Sequence, residues 1–338
     1  MPHKITIQSS QHTFTQEEGE SILEAALREG YDLPYGCRNG ACGACKGKIL
    51  EGSVDHGKYD KKALSADELD SGMALFCCAR ATSDLVIDCR EVKAAKDIQV
   101  KTMPCRVQNM ILAGKDTMVL KLKLPSNERL QFLAGQYIDI LLKDGKRRSF
   151  SLANAPHDDE LLELHIRQVP GGSYSHFVFH EMKEKDILRF EGPLGNFTLD
   201  EDSEKPIILL ASGTGFAPIK SIVEHALHHG IKREMKLYWG AYRKEDLYMA
   251  ELPEKWAAGQ DNFSYVPVLS DPAPEDGWTG RTGYVHQAVM DDYSDLSGFQ
   301  VYACGSPLMV QAAHQDFTSK RSLPTASFFS DAFTFSLK

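Results

Sequence analysis

Tyr35-Gly-Cys-Arg-Asn-Gly-Ala-Cys-Gly-Ala-Cys45 decides how this chain is read, together with Cys77 in Ala74-Leu-Phe-Cys77. Cys37, Cys42 and Cys45 fall at C-x4-C-x2-C, and Cys77 supplies a distant fourth sulfur. Gly36, Gly40, Ala41, Gly43 and Ala44 fill the space between them. Small residues are what such a loop needs, because larger side chains would keep backbone N–H groups away from sulfur. A disulfide framework fits poorly. It belongs to short secreted chains, whereas this one has 338 residues and opens on Met-Pro-His-Lys, which predicts no secretory leader.

The spacing is that of a plant-type 2Fe–2S cluster, a carrier of one electron at a time. Structural zinc is the alternative, since Cys42-x2-Cys45 alone would suit it. Zinc sites, however, usually join two C-x2-C halves, and the second half here is the contiguous Cys77-Cys78.

Composition is that of an ordinary globular protein, 42% hydrophobic and 25% charged, and the length predicts two or three domains. The net charge of −9 argues against nucleic acid as a partner, which requires a basic face. The longest apolar runs, such as Ile207–Ala211, are too short to span a bilayer. A cytoplasmic chain with no membrane span is expected, so the sequons at Asn196 and Asn262 carry no meaning. Residues 1–95 hold 11 basic and 15 acidic side chains. Their balance of −4 predicts either steering toward a basic partner or a plain solubility charge.

Three patterns succeed one another. In the first, Lys4–Gln8 and His12–Gln16 alternate like a hairpin, and Ser21-Ile-Leu-Glu24 is a capping box opening a helix that stops at Gly30. The cysteine loop follows, then strands at Lys46–Leu50 and Leu85–Cys89, with Ala94–Lys101 as a linker. The second pattern is strand after strand: Cys105–Leu112, Thr117–Leu124, Gln136–Leu142, Arg147–Leu152, Leu161–Arg167 and Ile187–Glu191, with Asp144-Gly145 as a hairpin turn. The third alternates strands with helices. Pro206–Ser212, Lys236–Ala241, Tyr265–Leu269 and Gln300–Ala303 read as strands, and Ile219, Ile222, Val223, Ala226 and Leu227 share one helix face. Ser306-Pro307 reads as the N-cap and first residue of the last helix.

Arg148-Ser149-Phe150-Ser151, running into Leu-Ala-Asn-Ala-Pro156, resembles the R-x-Y/F-S motif of the ferredoxin–NADP reductase superfamily, and the likeness extends over essentially the whole chain. The resemblance implies that Arg148 grips a flavin diphosphate, that Phe150 lies beside the isoalloxazine and that the Ser151 hydroxyl reaches its N5 edge. Arginine suits a diphosphate because its fork of donors is bidentate. Phe150 stands where tyrosine is commoner, so a hydroxyl contact is lost. His165-Ile166-Arg167 resembles the strand bordering the ribityl and adenosine parts of FAD. Pro170-Gly-Gly172-Ser173-Tyr174-Ser175 resembles the family's phosphate-binding turn, where leading helix N–H groups can hold a diphosphate. Gly192-Pro-Leu-Gly195 matches a turn of the family's flavin barrel.

Gly213-Thr214-Gly215-Phe-Ala-Pro218 follows a strand and opens a helix. It is not G-x-G-x-x-G, but it matches the family's G-T-G-x-x-P signature for a nicotinamide nucleotide. Cys304-Gly305-Ser-Pro307 resembles the C-G-x-P element whose cysteine lies near the nicotinamide, where its part would be positional. Ser270-Asp271 sits where NADP-binding members carry cations, which predicts NADH over NADPH, with Arg243 and Lys244 as the contrary sign. Phe333, or failing it Phe335, is the aromatic the family sets near the flavin face. His225 and His229 read as a solvated stripe, Cys78, Cys89 and Cys105 as structural, and Glu17, Glu18 and Glu20 as a charge run.

The implied fold is multidomain α+β and α/β: a β-grasp ferredoxin at 1–95, an antiparallel FAD-binding β-barrel at 100–203 and a parallel-sheet nicotinamide domain at 204–338. The implied activity is electron transfer from NADH through FAD to a 2Fe–2S cluster and on to a protein acceptor, an oxygenase or a deoxysugar dehydratase. A self-contained flavin reductase with a small-molecule acceptor is the alternative.

Overall fold

A computed structural model describes residues 2–31, 33–89 and 98–333. The chain divides into two compact units, Met1–Asp97 with Asp331–Lys338, and Ile98–Ser330.

The first unit is a five-stranded sheet with one packed helix. β1 (His3–Ile7) and β2 (Thr13–Gln16) form the expected hairpin, and α1 (Ile22–Arg28) follows. Ser21 caps α1 through a reciprocal box with Glu24, and Gly30 ends it with φ +83°. After the cysteine loop come β3 (Lys46–Glu51), β4 (Val54–Asp55), α2 (Ala66–Asp70), β5 (Met73–Leu75), β6 (Arg80–Ala81) and β7 (Leu85–Asp88). The sheet order is β2-β1-β7-β3-β5, with β1 and β7 parallel at the centre. Ile5, Ile7 and Ile87, all fully buried, join Ile22, Leu23 and Ala26 of α1 in the core. This is a β-grasp sheet, and it leaves the cysteine loop between α1 and β3.

In the second unit, β8 (Lys101–Ala113), β9 (Thr117–Lys123), β10 (Tyr137–Leu141), β11 (Arg147–Ser151), β12 (Leu162–Arg167) and β13 (Ile187–Leu194) build an antiparallel sheet ordered β11-β10-β13-β8-β9-β12. Its core is Val107, Leu120, Ile138, Leu152, Leu164 and Phe190. The outer strands meet through one isolated bridge, Leu152 with Leu164, rather than a full ladder, so the expected barrel is closed only at that point. α3 (Ser173–His180) lies between β12 and β13. Of the expected linker, residues 94–97 fall outside those described, and Lys101 already belongs to β8.

The same unit continues as a parallel α/β sheet. β14 (Ile207–Ser212), α4 (Phe216–His228), β15 (Met235–Ala241), α5 (Glu251–Gly259), β16 (Phe263–Leu269), β17 (Arg281–Thr282), α6 (Val285–Asp292), β18 (Gln300–Gly305), α7 (Pro307–Lys320) and β19 (Phe328–Ala332) follow in order. The strands lie as β17-β16-β15-β14-β18-β19, so the winding reverses between β14 and β18. Such a switch point opens a crevice at the carboxyl ends of the two strands, where open α/β sheets take their ligands. Ser306 precedes α7 as expected, but its side chain makes no capping bond. No helix among the described residues is long and apolar enough to cross a membrane.

Candidate functional site

The cysteine loop gathers its sulfurs in pairs. The Cys37 N–H donates to Cys42 Sγ at 3.3 Å, and the Ala41 N–H donates to Cys37 Sγ at 3.3 Å. A bond from the Cys42 thiol draws Cys37 down to about 6 and leaves Cys42, which keeps the proton in a buried place, well above the usual thiol range. Cys77 is pushed up to about 12, first by its bond to Cys45. The couples are therefore Cys37 with Cys42 and Cys45 with Cys77. Among the described residues no three His, Cys, Asp or Glu side chains form a group that could hold one metal ion. Two couples suit two irons.

The glycines explain how the backbone comes so close. A methyl on Gly36 would stand 3.2 Å from Cys42 Sγ, and one on Gly40, held at φ +75°, would stand 2.7 Å from Cys78 Sγ. Cys78, read from sequence as structural, has its sulfur 3.6 Å from that of Cys77. Asp331, which sequence alone did not single out, lies beside Gly36, and burial followed by the charge of Cys37 pushes its carboxyl up to about 7.

In the second unit the flavin motif lies on β11, where two adjacent arginines differ. Arg147 pairs with Glu191 at 2.6 Å and with Asp139 at 3.6 Å. Arg148 has no carboxylate within ion-pair distance among the described residues, and its Nη1 donates to the Arg147 carbonyl at 2.8 Å. Only Arg148 keeps its charge for an anion. Ser149 donates to Asp139 at 2.6 Å. The Ser151 hydroxyl, by contrast, is buried with no partner among the described residues, as is the Tyr174 hydroxyl. Buried hydroxyls are ordinarily satisfied, so the surroundings of Ser151 fit a ligand with a polar edge, such as FAD. Phe150 packs against Tyr174 with ring centres 5.6 Å apart.

Gly172 N-caps α3 without any side-chain bond, leaving the leading N–H groups of Ser173 and its neighbours to a ligand or to water. Ser175 is occupied otherwise: its hydroxyl accepts from the Val169 N–H at 3.1 Å and donates to the Gly172 carbonyl at 3.1 Å, so it staples the turn. On β12, Ile166 faces the sheet core while His165 and Arg167 face the other way. Both ring nitrogens of His165 are engaged, Nε2 with Glu163 at 2.9 Å and Nδ1 with Tyr248 at 2.7 Å. Arg167 pairs with Asp116 at 2.8 Å and reaches over the Gly213 turn, 3.6 Å from where a methyl there would sit.

That turn closes the crevice from the other side. Gly213, at φ +52°, Thr214 and Gly215 form one tight turn that leads into α4, whose first coils include Pro218. A methyl on Gly215 would overlap the Cys304 carbonyl, and one on Gly305 would overlap Ser212 Oγ. The ends of β14 and β18 thus lie back to back, with Cys304 fully buried between them. The Ser306 N–H donates to Ser212 Oγ at 2.9 Å, and the Trp239 indole N–H holds the Gly213 carbonyl at 3.0 Å.

At the outer edge, Arg243 Nη2 pairs with Asp271 at 2.8 Å, and Nη1 also bonds the Asp271 carbonyl. Lys244 is exposed. Phe333 groups with the first unit, and Phe335 lies outside the described residues. The His225 and His229 rings lie 4.1 Å apart, tilted by 36°, and His225 bonds Glu201; they belong to no metal site among the described residues. Sequence reading missed Glu163, Lys220 and Tyr248. All three join β12 to the nucleotide sheet, and nothing in their local spacing marks them.

Residues 5–82 match the 2Fe-2S iron-sulfur cluster binding domain, residues 104–199 the oxidoreductase FAD-binding domain and residues 209–315 the oxidoreductase NAD-binding domain. The chain is 42% identical over 320 residues, 95% of each chain, to the CDP-6-deoxy-L-threo-D-glycero-4-hexulose-3-dehydrase reductase of Yersinia pseudotuberculosis. It is 35% identical over 335 residues, 98% of each chain, to terephthalate 1,2-dioxygenase reductase component 1 of a Comamonas species. Among solved structures it is similar to the Amycolatopsis cytochrome P450 reductase GcoB, with 33% identity, TM-score 0.78, and coverage of 99% of this chain and all of that one. A loop of paired thiols, an arginine with no carboxylate partner and an unsatisfied serine among the described residues, and a glycine turn at the switch point of a parallel sheet occur here in one chain. It belongs to the 2Fe–2S/FAD reductases of the ferredoxin–NADP reductase superfamily.

Proposed function

We propose that this protein draws electrons from NADH and delivers them one at a time to a separate protein, a CDP-deoxyhexulose dehydrase in the first instance and an oxygenase in the second. The dehydrase comes first because the relative at 42% identity is named as the reductase of one. The functional division is residues 1–95 for the cluster, 100–203 for FAD and 204–338 for NADH, in the cytoplasm. FAD takes the electron pair of a hydride and releases single electrons, and the cluster carries those electrons out.

The chain's own residues hold and orient. Cys37, Cys42, Cys45 and Cys77 bind the irons, while the N–H of Ala41 bonds ligand sulfur, an interaction that sets potential. Arg148 and the N–H groups at Gly172, Ser173 and Tyr174 take the flavin diphosphate. Ser151 presents its hydroxyl to the reacting edge, with Phe150 beside it and Arg167 bridging toward the Gly213 turn. The nucleotide lies along Gly213, Thr214, Gly215 and Pro218, and Cys304 and Gly305 place its ring. His165, Ile166 and Ser175 act by shaping these walls. No acid–base group is needed; positioning does the work.

The observation that carries this reading is the buried Ser151 hydroxyl, which has no partner among the described residues, on the strand that also bears Arg148. The test is NADH-driven turnover of a purified CDP-deoxyhexulose dehydrase and, in parallel, of a ring-hydroxylating oxygenase. Product with the first and little with the second is expected. Full dye reduction with neither acceptor served would favour a small-molecule reductase.

A further inference from the structure

We propose that the electron acceptor docks on a collar of cations around the cysteine loop, and that it presents an acidic face there. This rests on the reading that electrons leave through the cluster to another protein. It departs from the net charge of residues 1–95, which by itself fits either steering toward a basic partner or a plain solubility charge.

The placement of charge carries the inference. Arg38 sits within the ligand loop, between Cys37 and Cys42, exposed and at φ +57°. The segment from Gly57 to Leu64 lies against that loop along its length. The Asp60 N–H donates to the Gly40 carbonyl at 3.0 Å. Methyls on Gly40, Gly43 and Gly57 would stand 3.0 Å from Tyr59 Cβ, 3.3 Å from the Ala63 carbonyl and 2.7 Å from the Cys78 carbonyl. The side chains this segment gives to solvent are Lys58, Lys61 and Lys62, all exposed. Arg80, also exposed, stands two residues beyond Cys78 on β6, in register with Asp55 of β4.

Among the described residues none of these five cations lies within ion-pair distance of a carboxylate. Of the carboxylates between them, Asp55 accepts the Gly57 N–H at 3.0 Å and Asp60 the Lys62 N–H at 2.9 Å, both serving local turns. Five of the nine cations described in residues 2–89 therefore stand with two of the thirteen carboxylates, a local charge of +3 against −7 elsewhere. Asp331 beside Gly36 brings the collar to +2 when ionised. The helix that follows carries Asp67 and Asp70, which bring the sum over that wider surface to zero, while its Glu68 is taken by Lys46 at 2.5 Å; the excess of cations is thus confined to the loop and the segment lying on it.

This asymmetry selects an orientation. An acidic partner is repelled by the rest of residues 2–89 and attracted at the ligand loop, whose Arg38 and Asn39 are exposed. Opposite charges within a Debye length, about 8 Å at physiological salt, guide that approach.

The test uses the full-length holoprotein with NADH and two haem proteins as probes: cytochrome b5, whose haem edge is ringed by carboxylates, and cytochrome c, whose edge is ringed by lysines. Reduction of cytochrome b5 should fall with rising salt and drop roughly tenfold or more in the Lys58→Glu/Lys61→Glu/Lys62→Glu protein. Reduction of cytochrome c should hold or rise in the same variant, and neutral-quinone reduction should stay at the wild-type rate. An intact visible spectrum shows that the variant is loaded and folded, and the salt response of the unaltered protein stands independently of it. Equal responses of the two cytochromes to salt and to charge reversal would overturn the collar alone. Undiminished reduction of both cytochromes by Cys42→Ser would overturn the cluster as exit, and the collar with it.

Discussion

The Tyr248 hydroxyl lies 2.7 Å from Nδ1 of His165 and joins the nucleotide-binding sheet to the flavin-side strand β12. Nε2 of the same ring faces the Glu163 carboxylate at 2.9 Å, so Nε2 carries the proton and Nδ1 accepts from tyrosine. The tyrosine in turn meets Trp239 edge-on, and that indole holds the Gly213 carbonyl. Four side chains thus run from the flavin side to the nucleotide turn.

Tyr248→Phe leaves a buried imidazole nitrogen without its donor. A loss of about 1–3 kcal/mol is expected. Thermal unfolding of the holoprotein should report it, with the cluster spectrum unchanged. A melting temperature equal to that of the wild type would show that water replaces the hydroxyl and that the chain of contacts is not needed.

Asp271 holds Arg243 at 2.8 Å, and on the proposed preference for NADH it withholds the cation that a 2′-phosphate would need. Asp271→Ser should release Arg243 and shift the kcat/KM ratio of NADPH to NADH upward by about tenfold, equivalent to ~1.4 kcal/mol. Steady-state dye reduction with the two coenzymes measures it. An unmoved ratio would place the adenine ribose elsewhere.

Glu163 gives a pH dependence with a definite sign. Burial raises its pKa, but the His165 bond and the charges of Lys220, His165 and Lys121 outweigh burial and hold it below its ordinary 4.5. A depressed carboxyl contributes stability that is present above pH 4.5 and is lost as pH falls toward its folded value. Wild-type stability should therefore decline more steeply below about pH 5 than that of Glu163→Gln, by about 1.4 kcal/mol for each unit of depression. Parallel denaturation curves at pH 7 and pH 4 would contradict this.

Gly215→Ala drives a methyl into the Cys304 carbonyl. Overpacking of this kind costs about 1–3 kcal/mol, and the turn must move to absorb it. Flavin reduction by NADH should slow by about tenfold or more, while dithionite still reduces flavin and cluster. An unaffected NADH reaction would mean that the crevice is not where the coenzyme lies.

The elements legible in the sequence were those coded locally. The Ser21–Glu24 box, the Asp144-Gly145 turn and the period-two runs of the second pattern each state their own geometry, and the structure has them, with β8 beginning four residues earlier and β13 ending three residues later than the runs. The cysteine loop was legible because metal spacing and glycine content coincide there. Glu163, Lys220 and Tyr248 were not, since a buried ion network draws on residues far apart in sequence: Lys220 Nζ bonds the Ala153 carbonyl at 3.1 Å and lies 3.4 Å from Glu163. Arg147 and Arg148 look alike on paper, and only the carboxylates of Glu191 and Asp139 tell them apart. The charge of the first hundred residues was legible as a total but not as a pattern, because Lys58–Lys62 acquires its place only when it folds onto Gly40.

Anaerobic stopped-flow mixing with NADH, followed at the flavin and cluster absorptions in the wild type and in Cys42→Ser, tests the central claim most directly. The wild type should show flavin reduction first and cluster bleaching after it, with delivery to the acceptor protein at the pace of the second phase. Cys42→Ser should keep the first phase and lose both cluster bleaching and delivery. Iron and acid-labile sulfide missing from freshly prepared protein, or undiminished delivery by Cys42→Ser, would contradict it.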